Sequence, residues 1–180
     1  MALRVSAQPF TLVSHVLAIA AAIMVLVWCI HFRGGLAFEA TNKSLIFNIH
    51  PVLMLIGFII LGGEAIISYK ALPWRKEVKK LIHLILHLFA LILGIVGIYA
   101  AFKYHNESNI ANLYSLHSWI GIGTICLYGI QLTLLHYKQP GILWIQSFIS
   151  FCVLIMFRCL KLTVDIWVLS VFLPGRLSSG

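Results

Sequence analysis

Charge is the scarcest feature of this chain: only 10% of its 180 residues are charged, and only 5 of them are Asp or Glu. With 61% hydrophobic residues and a mean hydropathy of +1.00, no soluble domain could hide the apolar surface that remains. The formal net charge of +8 does not point to nucleic acid, because the basic residues sit in short connectors between apolar runs and form no basic stripe. Cysteine is sparse too. Cys29, Cys126, Cys152 and Cys159 all lie in apolar segments without C-x-x-C spacing, which excludes a disulfide framework and a zinc site and leaves them as core residues. The apolar stretch after Arg4 lacks a small-residue cleavage site, so it reads as a spanning helix rather than a signal peptide.

What is present is a series of long apolar runs. A helix needs roughly 20 apolar residues to cross a hydrocarbon core, and Leu12 to Ile30, Ile46 to Ser68, Leu81 to Phe102 and Leu113 to Leu135 qualify. A fifth run, Ile142 to Phe157, and a shorter one, Leu162 to Leu173, add one or two C-terminal elements. The expected fold is an all-α integral membrane helical bundle, with a core over residues 1–131 and a divergent membrane segment over 132–180. Lys70, Arg75, Lys76, Lys79 and Lys80 crowd the second connector, which places it and the N-terminus on the cytoplasmic side. Two sequons, Asn42-Lys43-Ser44 and Asn106-Glu107-Ser108, fall in the connectors assigned to the other side. Arg158 and Lys161 run against this topology if the fifth run spans.

Ionisable residues inside membrane segments are costly and mark function, and here most are histidines. His50 and His117 each open a span entered from the non-cytoplasmic side, so their imidazoles lie at similar depth and could ligate one iron axially. His83 opens the span entered from the cytoplasm, with His87 one turn later on the same face. Gly57, Gly94 and Gly121 follow these histidines at helical spacing. They suit either the close approach of a porphyrin or the packing of helices, and spacing does not separate the two. Heme fits the set better than a cation pathway, which would call for carboxylates. Glu64 is the only acid well inside a span, and it falls near the face of His50, where a propionate or a helix backbone is its expected partner. His15 and His31 flank the first span without depth-matched partners and read as structural or interfacial. His105 is either a surface histidine or a substrate contact.

Four strings carry a resemblance: Asn48-Ile49-His50-Pro51-Val52-Leu53-Met54, Lys79-Lys80-Leu81-Ile82-His83, His105-Asn106, and Asn112-Leu113-Tyr114-Ser115-Leu116-His117-Ser118-Trp119. Over about residues 1–131 the chain resembles the cytochrome b561 family, its plant members above all. The resemblance implies six helices holding two b-type hemes, with cytosolic ascorbate as donor and monodehydroascorbate or ferric iron as acceptor. It implies His50 and His117 as ligands of the outer heme and His83 as one ligand of the inner heme, with His87 a neighbour. Lys70, Asn112, Leu113, Tyr114 and Ser115 would lie beside heme, and Lys76, Lys80 and His105 would bind substrates. The positive-inside rule also accounts for the lysines. A homodimer in a vacuolar or other endomembrane is expected, the plasma membrane being the alternative, with no nucleic-acid partner.

After about Gln131 the pattern departs. Where the family has Leu-Pro-Trp-His opening its fifth helix, this chain reads Pro140-Gly141-Ile142-Leu143-Trp144-Ile145-Gln146, and no histidine follows His136. A helix rises roughly 28 Å over the 19 residues from His117 to His136, which carries His136 to the surface beyond a porphyrin. Three readings follow in order: an ascorbate-dependent transmembrane oxidoreductase, a variant with a defective inner heme site that acts through a partner, and a metal-ion carrier using the same histidines.

Overall fold

The computed structural model describes residues 8–134. The two C-terminal apolar runs, His136, Pro140 to Gln146, Cys152, Arg158, Cys159 and Lys161 lie outside the described residues. All regular structure among the described residues is helical. Helix α1 covers Gln8–Val27 and closes in a wide π turn, Trp28–Phe32. The second span is continuous but composite: α2, Ser44–Val52, runs through a π segment, Leu53–Ile60, into α3, Leu61–Ala71. Helix α4 covers Lys76–Glu107 and α5 covers Leu116–Leu134. The stretches Pro9–Phe32, Ser44–Tyr69 and Lys76–Glu107 are long and apolar enough to cross a membrane. The chain is an integral membrane protein of the all-α class.

Two compact units divide at Asn112 and Leu113. In the first, α1 and α4 both pack on the composite second span. Without a hydrophobic force between helices in lipid, close approach depends on small residues, and α4 supplies them: Ala90, Gly94, Gly97 and Ala100, together with His87, form its buried stripe. Opposite them lie Ala65 and Phe58, both buried. Large apolar residues face outward instead, as on α1, where Leu12, Val16, Ile19 and Ile23 are exposed. That inversion of the soluble pattern suits a lipid surround.

The π segment has a cause in the sequence. Pro51 carries no N–H for the Phe47 carbonyl, and its ring crowds that carbonyl; a wide turn relieves both problems. With 32 residues, α4 is about 48 Å long, well beyond the roughly 30 Å hydrocarbon core, so both of its ends stand in the interfaces. At the outer end, Lys43 Nζ lies 2.6 Å from Glu107, and Lys103 pairs with Glu39 and, at 3.6 Å, with Glu107. The outer connector turns at Gly34 and Gly35, whose φ values of 83° and 116° exclude most side chains. Fully buried Asn48 pins it: its Nδ2 donates to the Arg33 and Gly35 carbonyls at 3.3 and 2.8 Å, and its Oδ1 accepts from Arg33 Nε at 3.2 Å. Cys29 is buried as expected, whereas Cys126 is exposed on α5 and is no core residue.

In the second unit, Ser115 and Ser118 cap the start of α5 reciprocally. Ser118 N donates to Ser115 Oγ and Ser115 N donates to Ser118 Oγ, both at 3.3 Å, which is a capping box with serine in place of the usual acid or amide. The helix therefore starts at Leu116 rather than Leu113, which sits in a left-handed conformation at φ 56°.

Candidate heme-binding histidines

His50 occupies the last turn of α2, in the outer half of its span. Its Nδ1 lies 3.0 Å from the carbonyl oxygen of Gly97 on α4. A carbonyl oxygen only accepts, so Nδ1 must carry the ring proton and Nε2 keeps the lone pair. His83, two turns into α4 from its N-terminal end, repeats the device: its Nδ1 lies 2.8 Å from the Ala65 carbonyl oxygen on α3. Both imidazoles are thus set in the tautomer that ligates metal through Nε2, with the second nitrogen bonded to a fixed acceptor that orients the ring and raises its basicity. Gly97 stands fourteen residues beyond His83 on the same helix, about 21 Å along its axis. The two rings therefore belong to opposite faces of the membrane. The chemistry of this donor set, neutral imidazoles whose Nε2 keeps its lone pair, fits b-type heme.

Close contact between the spans makes the His50 bond reachable. A Cβ added at Gly57 would lie 2.7 Å from Leu93 Cβ, and one at Gly97 would lie 3.2 Å from Leu53 Cβ and 3.3 Å from Met54 Sδ. With Gly94 also buried in the α4 stripe, helix packing is the role of Gly57 and Gly94. A Cβ at Gly121, in the second unit, meets nothing within 4 Å.

Around His83 the ring of His87 approaches to 4.3 Å between centroids and that of Tyr69 to 5.5 Å, both edge-on. His87 is buried at 8% exposure one turn deeper, the position of a neighbour to a ligand. Lys76, Lys80, His83 and His87 follow at intervals of four, three and four, one stripe of α4 leading from exposed ammonium groups to the imidazoles. Lys70 lies in the last turn of α3. On the outer side, rings connect His50 to His105: Phe47 is 5.9 Å from His50 and 5.1 Å from Tyr104, which is 5.8 Å from His105. Asn112 donates from Nδ2 to Asn106 Oδ1 at 2.7 Å. In the second unit, His117 is half-buried as the second residue of α5, Ser115 is its N-cap, Leu113 is half-buried, and Tyr114 is 70% exposed.

One pair was not foreseen. Glu64, expected to meet a propionate or a helix backbone, has its Oε2 3.0 Å from Nε2 of His15 on α1. His15, expected to lack a partner at its depth, therefore has one. The π segment explains the error. One extra residue in a turn rotates everything downstream by about 100°, so Glu64 is carried off the face of His50 and toward α1.

The model of the family described as eukaryotic cytochrome b561 matches residues 49–160, well over half of the chain. The chain belongs to the cytochrome b561 family. Among relatives, the probable ascorbate-specific transmembrane electron transporter 1 of Oryza sativa subsp. japonica is 69% identical over 152 residues, which are 84% of this chain and 60% of that protein. Transmembrane ascorbate ferrireductase 1 of Arabidopsis thaliana is 69% identical over 151 residues, 84% of this chain and 58% of the relative. More distant is the plasma membrane ascorbate-dependent reductase CYBRD1 of Xenopus laevis, 46% identical over 129 residues, 69% of this chain and 44% of that protein. This cytochrome b561 chain thus spans 60% or less of the length of each of these relatives.

Proposed function

We propose that the chain is an ascorbate-dependent transmembrane oxidoreductase that moves electrons from cytosolic ascorbate to monodehydroascorbate or ferric iron on the far side. The observation that carries the reading is the repeated anchoring of His50 and His83 through Nδ1 to backbone carbonyls on a facing helix. Evolutionary likeness supports it: the rice and Arabidopsis relatives are named for ascorbate-specific electron transport and ascorbate ferrireduction. Bound b-type heme would supply reversible one-electron chemistry within the bilayer.

In this reading His50 and His117 ligate an outer heme and His83 contributes to an inner one, for two hemes in all. Lys76 and Lys80 attract the ascorbate anion to the cytoplasmic face, where the start of α4 adds its own positive end. Lys70 neutralises charge beside the inner heme. His105 meets the acceptor, and Asn112, Leu113, Tyr114 and Ser115 line the outer heme. A homodimer in a vacuolar or other endomembrane completes the proposal.

A second reading, a non-catalytic variant with a defective inner heme site that binds one heme or none and acts through a partner, is favoured by one observation: Pro140 to Gln146 lacks the histidine that the family places at the start of its fifth helix. Heme per polypeptide, measured by pyridine hemochromogen on the purified chain with an ascorbate-reduced difference spectrum, separates them. Two ascorbate-reducible hemes are expected; one or none would overturn electron transfer across the membrane by this chain alone and favour the second reading.

A further inference from the structure

The His15–Glu64 pair lies within the apolar spans, where a lone charge is expensive. Glu64 stands seven residues from the end of α3, roughly 10 Å in. Both side chains are partly exposed, at 39% and 34%, so the pair sits at the rim of the first unit. Its hydrogen bonding explains how it is tolerated there. His15 Nδ1 donates to the Thr11 carbonyl at 2.7 Å, and its Nε2 faces Glu64 Oε2 at 3.0 Å. One proton lies between the imidazole and the carboxylate, and wherever it rests the pair as a whole is neutral. No net charge is left in the membrane.

What the pair holds in place is the turn of α3 that serves the cytoplasmic histidine. Glu64 directly precedes Ala65, whose carbonyl accepts the Nδ1–H of His83 at 2.8 Å and a further bond from Ser68 Oγ at 3.0 Å. Ala65 has no polar side chain of its own to fix its rotation about the helix axis. The neighbouring residue has one, and it is bound to α1. Rotating or sliding this turn of α3 would break the Glu64 bond and the Ala65 bond together, because both depend on the same two backbone units.

We propose that His15 and Glu64 are a positioning pair for the inner heme ligand: by tying α1 to α3, they hold the Ala65 carbonyl in line with Nδ1 of His83. The inference rests on the reading of His83 as a heme ligand. A firm Nδ1–H to carbonyl bond makes the imidazole more basic and favours ferric over ferrous iron. Loosening the pair therefore raises the midpoint potential of the inner heme and leaves the outer one, whose ligand His50 is anchored on Gly97, unchanged.

Redox titration of the purified full chain, with the low-spin ferric EPR signal recorded alongside, tests this in four forms: wild type, Glu64→Leu, Glu64→Gln and His83→Leu. Glutamine can still bridge, its amide N–H donating to Nε2 of His15 while Nδ1–H keeps the Thr11 carbonyl, so E64Q should match wild type. E64L should show the upward shift and an altered inner signal at unchanged heme content. If E64L matches wild type, or if E64Q shifts as far as E64L, positioning is refuted. If H83L retains every heme signal of the wild type, the assignment of His83 itself fails, and the proposal falls with it.

Discussion

Gly57→Ala is the sharpest test of how the second span meets α4. Its new methyl carbon would stand 2.7 Å from Leu93 Cβ and 3.1 Å from Leu93 Cδ1. Carbon atoms rest at about 3.5–4.0 Å, so the deficit is roughly 1 Å. A rotamer change can move Cδ1, but Cβ is fixed to the backbone of α4, and only separation of the two helices relieves it. His50 lies seven residues away, about 10 Å along the span, and its bond to Gly97 already measures 3.0 Å. Even half of the displacement would carry that bond to about 3.5 Å, outside useful hydrogen-bond range. Overpacking costs about 1–3 kcal/mol and the lost bond about 1 more. Gly63→Ala is the control: a Cβ there meets nothing within 4 Å, and replacing a helical glycine gains roughly 0.5–1 kcal/mol. Thermal unfolding and heme content of both variants in mild detergent should therefore diverge, G57A losing stability and heme while G63A gains slightly in stability and keeps its heme. If G57A proved as stable as G63A and as rich in heme, the close approach described for the two spans would be wrong.

Asn48→Ala removes the amide that satisfies the Arg33 and Gly35 carbonyls and leaves them without it at a fully buried site. A loss of roughly 2–4 kcal/mol is expected, seen as a lower unfolding temperature. Lys76→Gln and Lys80→Gln each withdraw one exposed positive charge from the cytoplasmic stripe. The KM for ascorbate should rise by about two- to fivefold per lysine with little change in kcat, and the effect should shrink in high salt; an unchanged KM at low salt would remove both residues from ascorbate binding.

Apolar length alone located the spans, because the membrane imposes its thickness on any helix that crosses it. The first three runs reappear within a few residues, extended by polar ends such as Lys76 and Glu107 that no hydropathy count includes. His50 and His83 were legible as candidate ligands because imidazole is rare and costly inside lipid. Their partners were not, since Gly97 and Ala65 contribute carbonyl oxygens that every residue owns. Gly57 could be placed on a face by period, yet only the neighbour at Leu93 decides what that face touches. The His15–Glu64 pair was hidden by an assumption of unbroken 3.6-residue periodicity, which the π segment after Pro51 violates. Leu53 to Ile60 is apolar throughout, and nothing in such a run distinguishes a wide turn from a regular one.

Anchoring both histidines on main-chain oxygens has a consequence for how this site can change. A carbonyl cannot be deleted by substitution, so a change at residue 65 or 97 reaches its ring only through the volume of the new side chain, which at Gly97 presses on Leu53 and Met54 and at Ala65 has no free space to fill. The instruction is stored in the distance between helices, and it can be rewritten only at positions such as Gly57 that set this distance. Sequences that keep this distance keep the aim of both rings, whatever they change away from the contact.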